Sequence, residues 1–95
     1  MDSETSLDEF VITTIAATCS VERREITPES SLADLLMDSL SIAALVSEVE
    51  AACSCEFSED EIFGLYQARS VRDVLELIRT VTGGAQPRRL AVSDR

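Results

Sequence analysis

The sequence predicts an all-α fold: a small helical bundle of three long helices plus one short helix, with a long loop between helices one and two. Apolar residues recur at the i, i+3, i+4 spacing of a helix in four segments of the chain. Each segment follows a Ser or Asp that can cap a helix, and no strand-like alternation competes with this pattern. The 95 residues, 45% of them hydrophobic, suffice for one domain with a single modest core.

Helix one is predicted to begin after Ser6 and to end near Cys19. Ser6 and Glu9 have the spacing of a capping box, in which each side chain bonds the other residue's backbone N–H. The predicted buried face of this helix consists of Leu7, Phe10, Val11, Thr14, and Ala17 or Thr18.

Residues 20–37 are predicted to form the long loop, because Pro28 and the Ser and Thr residues around it interrupt the helical pattern. At most a short turn is expected, over residues 31–36. Three leucines of this loop are expected to pin it to the core: Leu32, Leu35 and Leu36.

Helix two is predicted to begin at Asp38 or Ser39 and to continue to about Ala52. Its apolar stripe consists of Ile42, Leu45, Val46, Val49 and Cys53. Five residues are expected to lie off the centre of that stripe: Leu40, Ala43, Ala44, Ser47 and Ala51.

Two further helix starts are visible in the second half of the chain. Ser58 and Glu61 form a second predicted capping box, which opens a short helix through Tyr66. Ser70 opens the last helix, which ends at the Gly83-Gly84 pair. The predicted buried stripe of that helix is Val71, Val74, Leu75, Ile78 and Val81. The domain is therefore expected over residues 6–82, with a flexible N-terminus at 1–5 and a mobile tail at 83–95.

The charge of the chain narrows its possible partners. Eighteen acidic residues face eight basic ones, for a net charge of −10, and the sequence contains no His. Such a surface disfavours nucleic acid, which needs clustered cations, and disfavours anionic membranes for the same reason. No signal peptide and no apolar run of membrane-spanning length are visible, so we expect a cytoplasmic protein without membrane insertion, and a monomer. No metal site is expected, and Cys19, Cys53 and Cys55 are predicted to be reduced, buried and structural.

Ser39 stands where helix two is predicted to begin. A helix cap is the commonest role of a serine in this position. A nucleophilic serine needs a base such as His or Lys, and the chain contains neither, since its eight basic residues are all Arg. The protein is therefore predicted not to be an enzyme. A phosphate attached to Ser39, however, would meet free backbone N–H groups and the positive end of the helix dipole, so this serine is well placed to be a substrate.

Asp38, Ser39 and Leu40 open the second helix mid-chain in an acidic protein, and this arrangement resembles the phosphopantetheine attachment motif of acyl carrier proteins. The resemblance covers roughly residues 6–81. It implies that Ser39 carries a covalent 4′-phosphopantetheine arm, whose thiol holds acyl groups as thioesters, and that Asp38 and Leu40 belong to the surface that partner enzymes recognise. Those partners would be a phosphopantetheinyl transferase and the enzymes that load, condense and transfer acyl groups.

Two features of the chain differ from the usual pattern of that family. Members usually have Gly two residues before the Asp, where this chain has Leu36. The family pattern therefore does not predict the conformation of the loop at this position. Members that serve fatty acid biosynthesis often have acids along helix two, whereas here the first acid after the serine is Glu48. We therefore predict a mainly apolar partner surface and favour polyketide or other specialised biosynthesis over fatty acid biosynthesis. That predicted surface consists of Leu40, Ala43, Ala44, Ser47 and Glu48.

Two alternatives remain open from the sequence. The first is an aminoacyl, peptidyl or D-alanyl carrier protein, which would share the fold and the modified serine. Leu35, Leu36 and Met37 partly match the residues that often precede the motif in D-alanyl carriers. The second is a helical interaction module without a prosthetic group, in which Ser39 is only a cap and Leu40, Ala43 and Ala44 supply a small apolar patch.

Overall fold

The computed structural model describes residues 6–84, which form four α-helices and one 3₁₀ turn. The predicted all-α class is confirmed, and within the described residues the extended structure is limited to a single bridge between Ser31 and Ser70. The 3₁₀ turn, Arg23–Glu25, was not predicted from the sequence. The helices are α1 (Leu7–Cys19), α2 (Ser39–Cys53), α3 (Glu59–Tyr66) and α4 (Val71–Thr82).

Side-chain caps open the helices where the sequence predicts them. Ser58 Oγ accepts from the N–H of Glu61 at 3.1 Å, and the Glu61 carboxylate accepts from the N–H of Ser58 at 2.7 Å, so the predicted capping box of α3 is confirmed. α4 begins with the same reciprocal arrangement between Ser70 and Asp73. The predicted box of α1 forms only by half: Ser6 accepts from the N–H of Glu9, but the Glu9 carboxylate instead accepts from Arg23 at 3.1 Å.

The core lies among all four helices, and α1 packs against both α2 and α4. The predicted stripes of α2 and α4 are largely confirmed, although Val81 and Cys53 are only partly buried. The predicted face of α1 is partly wrong, because Ile15 and Ala16 are buried there while Ala17 is exposed. The largest fully buried side chains, which set the centre of the core, are Val11, Ile15, Leu45, Val49, Leu65, Val71, Val74 and Ile78.

Backbone hydrogen bonds tie the long loop to the start of α4. The N–H of Leu32 donates to the carbonyl of Arg69 at 2.9 Å, and the N–H of Val71 donates to the carbonyl of Ser30 at 3.0 Å. Leu32 is buried at 6% exposure, and Ile26 of the same loop is buried to the same extent. These bonds fix the centre of the loop, and they thereby fix the position at which α2 begins.

The three cysteines are less buried than predicted, and most of the predicted terminal segments are outside the described part of the chain. Cys19, Cys53 and Cys55 are free thiols, but each is only partly buried, so the prediction of burial is partly wrong. Cys53 is the last residue of α2, where the helix ends at the edge of the core. The predicted flexible N-terminus at 1–5 lies outside the described residues, and so does the predicted mobile tail at 83–95 beyond Gly84.

Candidate functional site at the start of helix α2

Asp38 caps α2, and Ser39 is the first residue of that helix. The Asp38 carboxylate accepts from the N–H of Ser41 at 2.9 Å, so the open choice between Asp38 and Ser39 as the cap is settled for Asp38. Hydrogen bonds from the backbone N–H and side chain of Ser41 hold the pKa of Asp38 below its usual value. Ser39 is exposed and is released from a capping role, so its hydroxyl is available to solvent and to another protein.

The chain reaches Asp38 through a helical turn that ends in a Schellman motif. The N–H of Met37 donates to the carbonyl of Leu32 at 3.0 Å, and the N–H of Leu36 donates to the carbonyl of Ala33 at 3.1 Å. In this motif the residue after the turn adopts the left-handed conformation, which is why Gly is favoured there. Leu36 occupies that position with φ 60°, at a cost of roughly 1–2 kcal/mol for a residue with a Cβ.

The prediction that Leu36 pins the loop to the core is wrong. Its side chain is 82% exposed, whereas Leu32 is buried and Leu35 is partly buried. The left-handed backbone turns the Leu36 side chain away from the core that its helical spacing would have reached. The loop therefore has the conformation that a Gly would favour, and it presents a large apolar side chain three residues before Ser39.

A groove of about 310 Å³ begins beside Ser39. Met37, Asp38 and Ser39 form one part of its lining, and Leu65 and Tyr66 of α3 form another. Leu65 is fully buried, while Tyr66 is 47% exposed and stands at the surface. The buried part of the groove lining is thus mainly apolar, and the groove opens to solvent beside Ser39.

The sequence did not identify this groove, because its walls come from segments far apart in the chain. Leu32 and Met37 precede the serine, and Tyr66 and Ala68 follow it by 27 and 29 residues. Only the exposed pair of aromatic residues at i, i+3 on α3, Phe63 and Tyr66, could have given a signal in the sequence.

The residues predicted as a partner surface share one exposed face of α2. Their positions repeat at i, i+3, i+4, i+7 and i+8, which places them on the side of the helix opposite to its buried stripe. Leu40 is 79% exposed and stands next to Ser39. All five are exposed: Leu40, Ala43, Ala44, Ser47 and Glu48. The structure brings them together, and their use by partners stays a prediction.

The thiol of Cys19, which is influenced by the charge of Asp38, is not activated as a nucleophile. Cys19 is near enough to the Asp38 carboxylate for that charge to contribute to its pKa, but burial is the larger cause, and both raise the pKa of the thiol. Within residues 6–84, no three His, Cys, Asp or Glu side chains meet as a metal site. None of the helices in that same range is both long and apolar enough to span a membrane.

Comparison with known proteins decides the family. The sequence matches the family model described as "Phosphopantetheine attachment site" over residues 9–81. It is also 41% identical over 64 residues to a protein named "Acyl carrier protein" from Coprothermobacter proteolyticus, a match that covers 66% of this chain and 74% of that protein. The chain belongs to the acyl carrier protein family. No solved structure matches it significantly.

Family membership brings a cofactor, a covalently attached 4′-phosphopantetheine group. The start of α2 fits such a group, since Ser39 offers an exposed hydroxyl there and α2 has no acid in its first turn. Acids do occupy the first turns of α1, α3 and α4. A phosphodiester would supply the negative charge that favours a helix N-terminus. The family match favours a carrier over the alternative of an interaction module without a prosthetic group.

Proposed function

We propose that Ser39 is the attachment point of the 4′-phosphopantetheine arm and that the protein carries acyl intermediates on the arm's thiol as thioesters. The observation that supports this is the exposed Ser39 hydroxyl at the first residue of α2, with Asp38 rather than Ser39 serving as the cap. The chemistry that the bound arm supplies is reversible acyl attachment. The residues of the chain fix the attachment point of the arm and expose the arm to partner enzymes.

The attachment requires a partner enzyme. Ser39 Oγ forms the phosphodiester by attacking the phosphorus of coenzyme A that is joined to pantetheine. The bond from this phosphorus to the oxygen on the nucleotide side breaks, the nucleotide leaves, and the serine hydroxyl loses its proton. A base must take that proton, and the chain contains no His or Lys to do so. A phosphopantetheinyl transferase would therefore supply the base, and the protein acts as its substrate. The later partners would be the enzymes that load, condense and transfer the acyl group, in the cytoplasm.

The acyl cargo is proposed to belong to polyketide or other specialised biosynthesis, with fatty acid biosynthesis as the second choice. The observation in favour is the exposed face of α2 between Ser39 and Ser47, which carries no charge. An aminoacyl, peptidyl or D-alanyl carrier would share the same site. Charging the arm-bearing protein in parallel with malonyl, fatty acyl and aminoacyl donors, each with its own loading enzyme, separates these possibilities by the mass that is gained.

The attachment is tested by incubating the protein with coenzyme A and a broad-specificity phosphopantetheinyl transferase. We expect the intact mass to rise by one phosphopantetheinyl group in the wild type and in Ser41→Ala, and not in Ser39→Ala. Ser41 is the matched control, because it is a serine in the same first turn of α2. An unchanged mass of the wild type, under conditions that modify another carrier protein, would contradict the proposal, as would a gain that persists in Ser39→Ala.

A further inference from the structure

Leu36 combines a strained backbone, an exposed apolar side chain and a position close to Ser39. Its backbone is left-handed at φ 60°, a conformation in which a Leu is strained. Its side chain is 82% exposed, so burial does not compensate for that strain. It also lies only three residues before Ser39. The turn uses a left-handed residue at this position but does not require a Leu. Strain at an exposed Leu is a reason to look for a function of the residue.

We propose that Leu36, together with Leu40, forms the apolar contact by which a phosphopantetheinyl transferase binds this protein when it modifies Ser39. This inference rests on the proposed function of Ser39. Leu36 and Leu40 precede and follow the serine, and they are the two most exposed large hydrophobic side chains of the described residues, at 82% and 79%. A partner that closes over the serine hydroxyl meets both side chains.

The transferase is the partner that the position of Leu36 favours. Its reaction takes place at Ser39 Oγ itself, whereas the enzymes that act later react at the thiol on the far end of the arm. Three peptide units separate Leu36 from Ser39, so their Cα atoms are at most about 11 Å apart. An enzyme that brings a phosphorus atom to the hydroxyl therefore has to cover the surface around Leu36.

The charge around the serine indicates the chemistry of that contact. Residues 39–47 carry no charge, and the Asp38 carboxylate is engaged by the N–H of Ser41. Binding here therefore depends on apolar contact more than on ion pairs, and the transferase is expected to place an apolar depression against the two leucines. Full burial of a Leu corresponds to roughly a tenfold or larger gain in affinity.

Two substitutions of Leu36 separate the contact from the backbone strain. Leu36→Asn keeps a side chain of similar size and is tolerated in the left-handed conformation, but it removes the apolar surface. Leu36→Gly removes both the side chain and the strain. The matched control is Ser54→Asn, since Ser54 is also left-handed, at φ 55°, and caps the far end of α2. That position is about 22 Å along the helix from Ser39.

The test is steady-state kinetics of modification, with the wild type and each variant as substrates of a broad-specificity phosphopantetheinyl transferase and coenzyme A. We expect Leu36→Asn to raise the KM for the carrier at least fivefold, with kcat within twofold of the wild type. Leu36→Gly should raise the KM similarly while it raises the Tm by about 4 °C, because relief of backbone strain stabilises the fold. Ser54→Asn should change neither constant.

The outcomes distinguish this inference from the proposed function. A KM for Leu36→Asn within twofold of the wild-type value would overturn the role of Leu36 and leave Ser39 as the attachment point. A loss confined to kcat would also overturn it, because that result would show a displaced serine rather than a lost contact. If the wild type is not modified at all, the proposed function fails, and this inference fails with it.

Discussion

Ser20, Leu36 and Ser54 are the non-glycine residues with positive φ in the described part of the chain. Each directly follows a helical segment, and each is followed by an N–H that reaches back five residues, as from Val21 to Ala16 at 3.0 Å and from Cys55 to Glu50 at 3.3 Å. These bonds satisfy carbonyl groups that the end of a helix leaves free. Ser20 and Ser54 are polar and exposed and end α1 and α2, and the large apolar Leu36 is the exception among the three.

The sign of a backbone angle explains why the sequence could not predict the position of Leu36. Spacing alone groups Leu32, Leu35 and Leu36 on one side of a short turn. In the structure only Leu32 of these three is fully buried. At Leu36 the turn has already ended, so helical spacing no longer applies. The absence of Gly at this position also removed the usual sequence signal for the left-handed residue.

The three cysteines give a prediction about reactivity. Burial is the main cause that raises the pKa of each thiol, and Glu50 and Glu61 add to the shift at Cys55. Because only the thiolate reacts, we expect iodoacetamide to alkylate all three more slowly in the folded apo-protein at pH 7.5 than in urea, and the folded rate to rise about tenfold per pH unit up to the pKa. Mass spectrometry of peptides from samples digested at successive times measures the rate at each cysteine. Equal rates for Cys53 in the folded and unfolded protein would show that the core does not cover it.

At the scale of the helices, contacts between residues close in the sequence could be predicted, and contacts between distant residues could not. Both capping boxes, at Ser58 and at Ser70, involve residues three apart, so the sequence shows both partners at once. The half-formed cap of α1 differs because Arg23, fourteen residues away, competes for Glu9. The bonds that fix the long loop join residues about forty apart, and for that reason the position of the loop and the groove beside Ser39 follow only from the folded chain.

The contrast between the two kinds of cap predicts a difference in stability. Ser58→Ala removes the hydrogen bond from the N–H of Glu61 to Ser58 Oγ, and it weakens the reciprocal bond from the N–H of Ser58 to the Glu61 carboxylate. We therefore expect a loss of about 1 kcal/mol in the free energy of unfolding. Ser6→Ala removes a single bond at an exposed end, and its loss should be smaller. Urea denaturation followed by circular dichroism measures both. Ser58→Asp is the control that keeps an acceptor at the cap, and a loss as large as that of Ser58→Ala would contradict the role of the hydroxyl.

At the scale of the whole molecule, the salt bridges among residues 6–84 are unevenly distributed. The salt bridges among residues 6–84 join α1, the long loop and α4, as between Arg79 and Asp8, where the hydrogen-bonded carboxylate raises the pKa of the guanidinium. In that same range no acid of α2 or α3 has a salt bridge. The side of the molecule that bears Ser39 therefore keeps the field of its acids, which can steer a basic partner toward it.

Steering and contact are separable because they act at different distances. Glu48 lies nine residues beyond Ser39 on α2, and Glu59, Asp60 and Glu61 are in the first turn of α3. Their attraction is screened over about 10 Å at 0.1 M salt and changes mainly the rate of association. Leu40 and Ala43, close to the serine, offer apolar surface that a partner must desolvate, and this changes the affinity of the complex once formed.

We therefore expect Leu40→Ala or Ala43→Asp to lower kcat/KM for acyl loading of the arm-bearing protein about tenfold, as apolar contacts at the centre of an interface do. Glu48→Gln should lower it less than about twofold at 0.15 M salt, since a single exposed charge contributes little. The assay is loading by the acyltransferase that charges the protein, at low and high salt, and circular dichroism checks that each variant is folded. Glu76→Gln, on the exposed side of α4, is the control for loss of one acid. A larger defect from Glu48→Gln than from either apolar change, with a steep dependence on salt, would show that partners recognise α2 mainly through ion pairs.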